Sequence, residues 1–331
     1  QFERIFVISR PDRTDRRDAL TIAASIEGFD FEFFDGVDGS KVPDKAIPTT
    51  SDHPRLRDPV IGCWRAYMNV MQEIVRNNIA TALILEDDAD WDTRLRDQLY
   101  NFSIASRSLL CLSHQLDRQN SKCSDRFHTS DSEVNFEDLT WTEYHEGSPY
   151  GDGWDLLWVG HSEMNFIPET MNKPKGRIVQ VDHTVLERHY LKSVMGPYRD
   201  IIQNYPHHTR VTHHAYNGLG TTAYAVSLAG ARRVLYQVGL KDLTLPVDNT
   251  LRSFCDGTEG RTPHVCVCPQ PGFFEQYRPP GPAELWSDIQ DYGNDYTAKG
   301  FSYNVRRSIQ HNLEAILENT GQIVDQWPDT A

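Results

Sequence analysis

The stretch Ala82-Leu83-Ile84-Leu85-Glu86-Asp87-Asp88 decides how this chain is understood: an apolar run of strand length that ends on three consecutive carboxylates. Four apolar residues in a row suit a strand buried on both faces of a parallel sheet. Three acidic side chains at the end of such a strand are electrostatically expensive, because an unpaired charge resists removal from water. A divalent cation bound through oxygen ligands relieves the repulsion, so the tripeptide is a candidate metal site. The alternative is a solvated turn that happens to be acidic.

Working outward, Ile5-Phe6-Val7-Ile8 is another run of strand length. A helix follows to Glu27, capped by Asp12 or Thr14 and ended by Gly28. Phe29 to Phe34 predicts a second strand, and Asp35-Gly36 with Asp38-Gly39 a turn. From Gly62 to Asn77, Cys63, Tyr67, Val70, Met71 and Ile74 recur at helical spacing, and Thr93 to Leu110 predicts a further helix. This alternation predicts an α/β fold with a mostly parallel central sheet flanked by helices. Ligands of such sheets bind beyond the carboxyl ends of the strands, where Glu86-Asp87-Asp88 falls.

Later strands are expected at Trp154–Val159, Ile178–Val181 and Thr221–Val226, with helices after Thr184, from Leu228 to Val238 behind a Ser227 cap, and from Leu245-Pro246-Val247-Asp248 through Arg252. Pro269 to Pro282 reads as extended loop and Asn304 to Glu318 as an amphipathic helix. With no internal repeat or low-complexity linker, the expected organisation is one domain, 1–331, carrying surface insertions at about 106–150 and 162–216.

A net charge of -14 over 331 residues argues against nucleic acid, whose binding rests on clustered Lys and Arg, and against anionic membranes. No apolar run approaches the roughly 20 residues of a membrane span, so an anchor or signal peptide is expected only upstream of Gln1. The six cysteines lack zinc-site spacing. Cys63, on an apolar helix face, reads as a buried free thiol. Pairing of Cys111 with Cys123, and of Cys255 with Cys266 or Cys268, would suit an oxidising compartment. Together with the sequon Asn101-Phe102-Ser103, this points to a secretory lumen.

Just past the first strand stand Arg10, Arg13, Arg16 and Arg17. Arginines there can grip phosphate oxygens by paired hydrogen bonds; the alternative is an exposed face pairing with Asp12 and Asp15. Asp90 and Asp92 extend the acidic run as an Asp-x-Asp pair, ranked behind Asp88, with solvated caps of the next helix as the alternative. Trp64, Trp154 and Trp158 are candidates for stacking on sugar, or for the core.

The opening strand with Asp12-Arg13-Thr14-Asp15-Arg16-Arg17, the turn Gly36-Val37-Asp38-Gly39, Gly62-Cys63 before a helix, Leu83-Ile84-Leu85-Glu86-Asp87-Asp88-Ala89, Thr222-Ala223-Tyr224-Ala225-Val226-Ser227 before Gly230-Ala231, and Leu245-Pro246-Val247-Asp248 together resemble glycosyltransferase family 25. That family holds bacterial lipooligosaccharide galactosyltransferases and collagen hydroxylysine β-galactosyltransferases. One departure is Ala66-Tyr67, where many members carry Ser-His after Gly-Cys. The resemblance implies a GT-A-like domain and inverting transfer of a sugar, galactose by preference, from a uridine diphosphate sugar to a hydroxyl on a glycan or glycoprotein, with Mn²⁺ or Mg²⁺. By position it implies Asp88 as metal ligand, Glu86 near the ribose or in the metal shell, and Asp87 beside the donor. Inversion requires a base for the acceptor hydroxyl, and Asp248 of the Pro-Val-Asp motif is the choice, ahead of Asp155 and Asp152; a helix cap is its plainer role. For a third metal ligand His264, Asp288, His213 and His214 are open. A glycoside hydrolase, which also uses two carboxylates, fits the alternating architecture poorly. A catalytically silent binding domain of the same fold is the other class.

Overall fold

In the computed structural model, which describes residues 2–48, 53–114, 133–139, 148–193, 196–197, 199–289 and 292–330, strands and helices alternate from the start. The order is β1 (Arg4–Ser9), α1 (Thr14–Glu27), β2 (Glu32–Asp35), α2 (Asp58–Arg76), β3 (Thr81–Glu86), β4 (Ala89–Trp91) and α3 (Leu95–His114). Next come β5 (Glu133–Asn135), β6 (Leu156–Gly160), β7 (Arg177–Val181), the short β8 (Lys192–Ser193) and β9 (Gly196–Pro197), α4 (Arg199–Asn204) and β10 (Thr209–His214). The rest comprises β11 (Ala223–Ser227), α5 (Leu228–Gln237), α6 (Val247–Asp256), β12 (Cys266–Gln270), β13 (Phe274–Gln276), β14 (Gly281–Pro282), β15 (Tyr296–Thr297) and α7 (Leu313–Leu317).

One nine-stranded sheet runs through the molecule in the order β2-β1-β3-β11-β6-β12-β10-β7-β5. The pairings make all its strands co-directional except β10 and β11, so the sheet is mostly parallel. Side chains alternate between two cores. Phe6, Ala82, Ile84, Leu156 and Tyr224 face α2, α5 and α6, while Val7, Leu83, Leu85, Leu157 and Ala225 face α1 and α3. Met68, Met71 and Ile74 on α2 are fully buried, each worth roughly 1.5–3 kcal/mol of transfer free energy. Trp64, Trp154 and Trp158 also lie in these cores, so they are not available to stack on sugar.

The glycines of the two Gly motifs serve close approach. A Cβ on Gly62 would sit 2.1 Å from the Val37 carbonyl oxygen, and one on Gly39 would sit 1.8 Å from that of Asp58. The turn 36–39 thereby packs directly on the start of α2 and sets that helix against the sheet. Gly62→Ala is expected to lower stability by about 1–3 kcal/mol, the usual cost of overpacking, read as a shifted denaturation midpoint at unchanged slope.

Several expectations are corrected. α1 has no side-chain cap, because the Asp12 carboxylate is bound by Arg10; Gly28 does close the helix, in the left-handed region at φ 66°. The segments expected as surface insertions supply three strands of the main sheet, β5, β7 and β10. No α-helix follows Thr184 directly; among the described residues the chain makes a turn at Arg188–Tyr190 and the short strands β8 and β9 before α4. Pro269 to Pro282 is not all loop, since β12 reaches Gln270 and β13 pairs with β4. The terminal helix shrinks to Leu313–Leu317. Cys255 bonds Cys266, joining the end of α6 to the start of β12; Cys63 and Cys268 are free thiols. The pairing of Cys111 with Cys123 lies outside the described residues.

Candidate functional site

The sheet places its chemistry at one edge. After β1 the chain moves to one side to form β2, then returns to form β3 on the other, so a crevice opens between the carboxyl ends of β1 and β3. Such a switch point is where open α/β sheets bind ligands. Ser9 and Arg10 lie on one lip, Glu86, Asp87 and Asp88 on the other.

Glu86 continues the alternation of β3, which puts it on the α2 side. The Tyr67 hydroxyl donates to its Oε1 at 2.6 Å and the Thr221 hydroxyl donates to the same atom at 2.8 Å. Burial pushes the Glu86 carboxyl up, those two donors oppose the rise, and the charge of Asp248 adds to it. Asp248 opens α6 without capping it. Its Oδ2 accepts the Gly220 amide at 3.2 Å, and its Oδ1 accepts the Asn249 amide at 2.8 Å. Helix α6 and the loop before β11 thus bring Asp248 within electrostatic reach of Glu86 and Cys63.

Asp87 and Asp88 form the other half. Arg16 donates Nη1 to Asp87 Oδ1 at 2.6 Å and to Asp88 Oδ2 at 3.3 Å. Its Nη2 donates to the carbonyls of Leu285 and Trp286, at 3.3 and 2.8 Å. Asp88 is pushed up to about 7, chiefly by burial, with Glu86 and Asp87 adding and Arg16 and Arg278 countering. Its Oδ1 is buried and has no hydrogen-bond partner among the described residues. Asp87 and Asp88 meet at Arg16, and the orphaned buried oxygen of Asp88 is a donor of the kind a hard divalent cation takes. Glu86 is held on the α2 side, and the three carboxylates do not bring one ligand atom each within 4.8 Å of the others.

The remaining sequence candidates fall elsewhere. Arg10 pairs with Asp12 at the surface. Arg13 binds Asp15 and Asp288, and Arg17 binds the Ser9 carbonyl and Asp35 while lying over the Phe33 ring. None of the three touches the acidic tip; helix phase turns Arg16 inward instead. Asp90 is fully buried and belongs to the C-terminal segment: it accepts the Ser302 hydroxyl and the Gln310 amide, which leaves it poorly placed as a metal ligand. Asp92 is likewise bound by Arg94 and the Arg307 amide. His264 is the clearest departure. It pairs with Asp155 at 3.6 Å and stacks on Phe254, at the amino end of β6 and so at the sheet edge opposite the carboxylates. The same buried pairing, with Arg233 added, removes Asp155 as a base. His213 is buried in β10 against Gln270.

Two parts of the site carried no local signal. Residues 283–289 cross the strand tip, held by Arg13 and Arg16, with Asp288 locked to Arg13 at 2.9 Å. Arg278 lies over the rings of Trp286 and Tyr292, 4.8 and 4.6 Å from their centroids, while its charge acts on Asp88.

Behind Asp88, Glu275 on β13 is fully buried, accepts the Asn304 side-chain amide, and is pushed up to about 8, mainly by burial. The folded protein therefore holds a proton that the unfolded chain loses near 4.5, so this group's contribution to stability falls as pH rises from about 4.5 to about 8. Glu275→Gln has no such slope. Its stability should gain on the parent across that window and stay level above it, as urea titrations at several pH values would show.

The nine-stranded mixed sheet with an acidic tip at its switch point defines a GT-A-like fold. Residues 2–251 match the family described as Glycosyltransferase family 25 (LPS biosynthesis protein), and the chain belongs to that family. It is 28% identical over 116 residues to a protein named "Glycosyltransferase 25 family member" from Anopheles gambiae, covering 32% of this chain and 20% of that one. It is 30% identical over 112 residues to "Inactive glycosyltransferase 25 family member 3" from Homo sapiens, covering 30% of this chain and 18% of that one. The matched stretch therefore spans about a fifth of each relative's length.

Proposed function

We propose that this protein transfers a hexose, galactose by preference, from a uridine diphosphate sugar to a hydroxyl of a glycan or glycoprotein with inversion, aided by Mn²⁺ or Mg²⁺. The observation that carries the reading is the orphaned, buried Asp88 Oδ1 among three carboxylates at the switch point. Asp88, with Asp87 beside it, would hold the ion, whose chemistry is to offset charge on the departing diphosphate, and Glu86 on the α2 side adds negative charge to the site. Asp248 takes the proton of the attacking hydroxyl; its two amide donors fix its orientation. Tyr67 and Thr221 hold Glu86 in place, and Arg16 offsets the charge of Asp87 and Asp88 while tying residues 285–286 across the site.

Arg16 also supports a second reading, a binding domain without transfer, because its guanidinium already compensates the acidic tip. Incubation with uridine diphosphate galactose and Mn²⁺, without acceptor, separates the two. Slow release of uridine diphosphate that EDTA abolishes is expected. Thermal stabilisation by the nucleotide with Mn²⁺ but no release would favour the silent domain, and neither response would exclude both. The disulfide between Cys255 and Cys266 supports placement in a secretory lumen. Non-reducing mass mapping that finds five or six free thiols would overturn that placement.

A further inference from the structure

Far along the chain from the acidic tip, three side chains of ligand type converge where no family motif lies. Glu187 precedes the turn Arg188–Tyr190, His189 sits within it, and His207 lies in the loop that enters β10. One ligand atom from each lies within 4.8 Å of the others. His189 Nδ1 is 3.6 Å from Glu187 Oε2, and the two imidazole rings are 6.3 Å apart. The turn is held by backbone bonds, Tyr190 N–H to the Glu187 carbonyl at 2.9 Å and Leu191 N–H to that of Arg188 at 3.3 Å, so the carboxylate and first imidazole are spaced locally. The Arg188 amide donates to His207 Nδ1 at 3.2 Å, which joins the second imidazole to the same turn.

We propose that Glu187, His189 and His207 form a second metal site, for a zinc-type transition ion. Two imidazole nitrogens and one carboxylate oxygen suit Zn²⁺, Ni²⁺ or Cu²⁺ over the oxygen-seeking Mn²⁺ and Mg²⁺, so the two sites differ in preference. Ligand atoms around a tetrahedral zinc stand about 3.4 Å apart, given bonds of roughly 2.0–2.1 Å. The half-exposed His189 and exposed His207 reach that spacing by small side-chain rotations. Binding at His207 Nδ1 would compete with the Arg188 amide, a long bond and weakly held. Water completes the fourth position.

The site's consequence is structural. Glu187 Oε2 accepts the Thr330 amide at 3.2 Å and the Thr330 hydroxyl at 2.7 Å, while His208 Nε2 lies 3.5 Å from Asp329. A metal on Glu187 and the two histidines would join the 187–190 turn, the loop before β10 and residues 329–330 into one unit.

The test titrates Zn²⁺ alone into the EDTA-stripped full chain by calorimetry, with Co²⁺ as the spectroscopic probe. One equivalent of Zn²⁺ should bind, raise the melting temperature, and persist in Asp88→Asn. The Co²⁺ form should show the visible absorption of a four-coordinate ion. The double variant His189→Ala/His207→Ala should lose about 100-fold or more in Zn²⁺ affinity, since losing even an outer partner of a metal ligand costs 10–100-fold. Its metal-free melting temperature should match the parent, because both rings lie at the surface; His189→Ala alone serves if the double variant folds poorly. Zn²⁺ affinity unchanged by these substitutions, lost instead in Asp88→Asn, or undetectable in the parent would overturn the assignment.

Discussion

Asp88→Asn is expected to abolish Mn²⁺-dependent binding of uridine diphosphate and to cut transfer by about 10²–10³-fold, the loss typical of removing one preorganised electrostatic group. The amide keeps the shape of the side chain and its contact to Arg16, but it has no charge to offer a cation. Folding should not suffer. Asp88 is held up at about 7 against an ordinary value of 3.8, so the folded protein keeps a proton that the unfolded chain releases. Its contribution to stability is therefore greatest below the ordinary value and is lost as pH rises to about 7. Asparagine removes that slope, so the variant should gain on the parent between pH 4 and 7 while losing activity. Calorimetry of nucleotide binding with and without Mn²⁺, beside denaturant titrations at pH 5 and 8, separates the two effects. Intact Mn²⁺-dependent binding in the variant would refute the acidic tip as the metal site.

Asp248→Asn should leave donor binding near the parent level and lower turnover by about 10²–10⁴-fold, the range that a positioned base contributes. Asparagine retains one acceptor oxygen, which keeps the shorter bond from the Asn249 amide at 2.8 Å and gives up the 3.2 Å bond from the Gly220 amide, so α6 keeps its start at the cost of one long hydrogen bond. What is lost is the ability to take a proton. The substitution also removes the charge that raises Glu86, so Glu86 should ionise more easily. Single-turnover rates against donor affinity make the distinction: a lower rate at unchanged affinity is the expected pattern. Unchanged turnover would move the base elsewhere, and weakened donor binding would recast Asp248 as a positioning residue for Glu86.

The first ninety residues were legible because their signals are local. Apolar runs at Ile5–Ile8 and Ala82–Leu85, helical spacing across α2, and Gly28 as a stop each act within a few residues. The far half of the sheet was not legible in this way. β10 reads Thr-Arg-Val-Thr-His-His, with one apolar residue in six, yet every position is buried. It survives there because its polar groups find distant partners: Arg210 binds Asp182 and lies over Phe273, and His213 meets Gln270. No pattern of hydrophobicity along the strand reports those pairings.

The same division runs through the site. Composition and order alone determined that an apolar strand ends on Glu86-Asp87-Asp88, that arginines follow the first strand, and that Asp248 opens a helix. Only the tertiary structure decided which of these charges share a space. Asp90 belongs to Ser302 and His264 to Asp155, while Arg16 rather than its neighbours meets the tip. Local periodicity places a residue on a face of its own element; what stands opposite depends on chain segments more than two hundred residues away, and in a low-dielectric interior that partner decides whether a charge is compensated or free to bind.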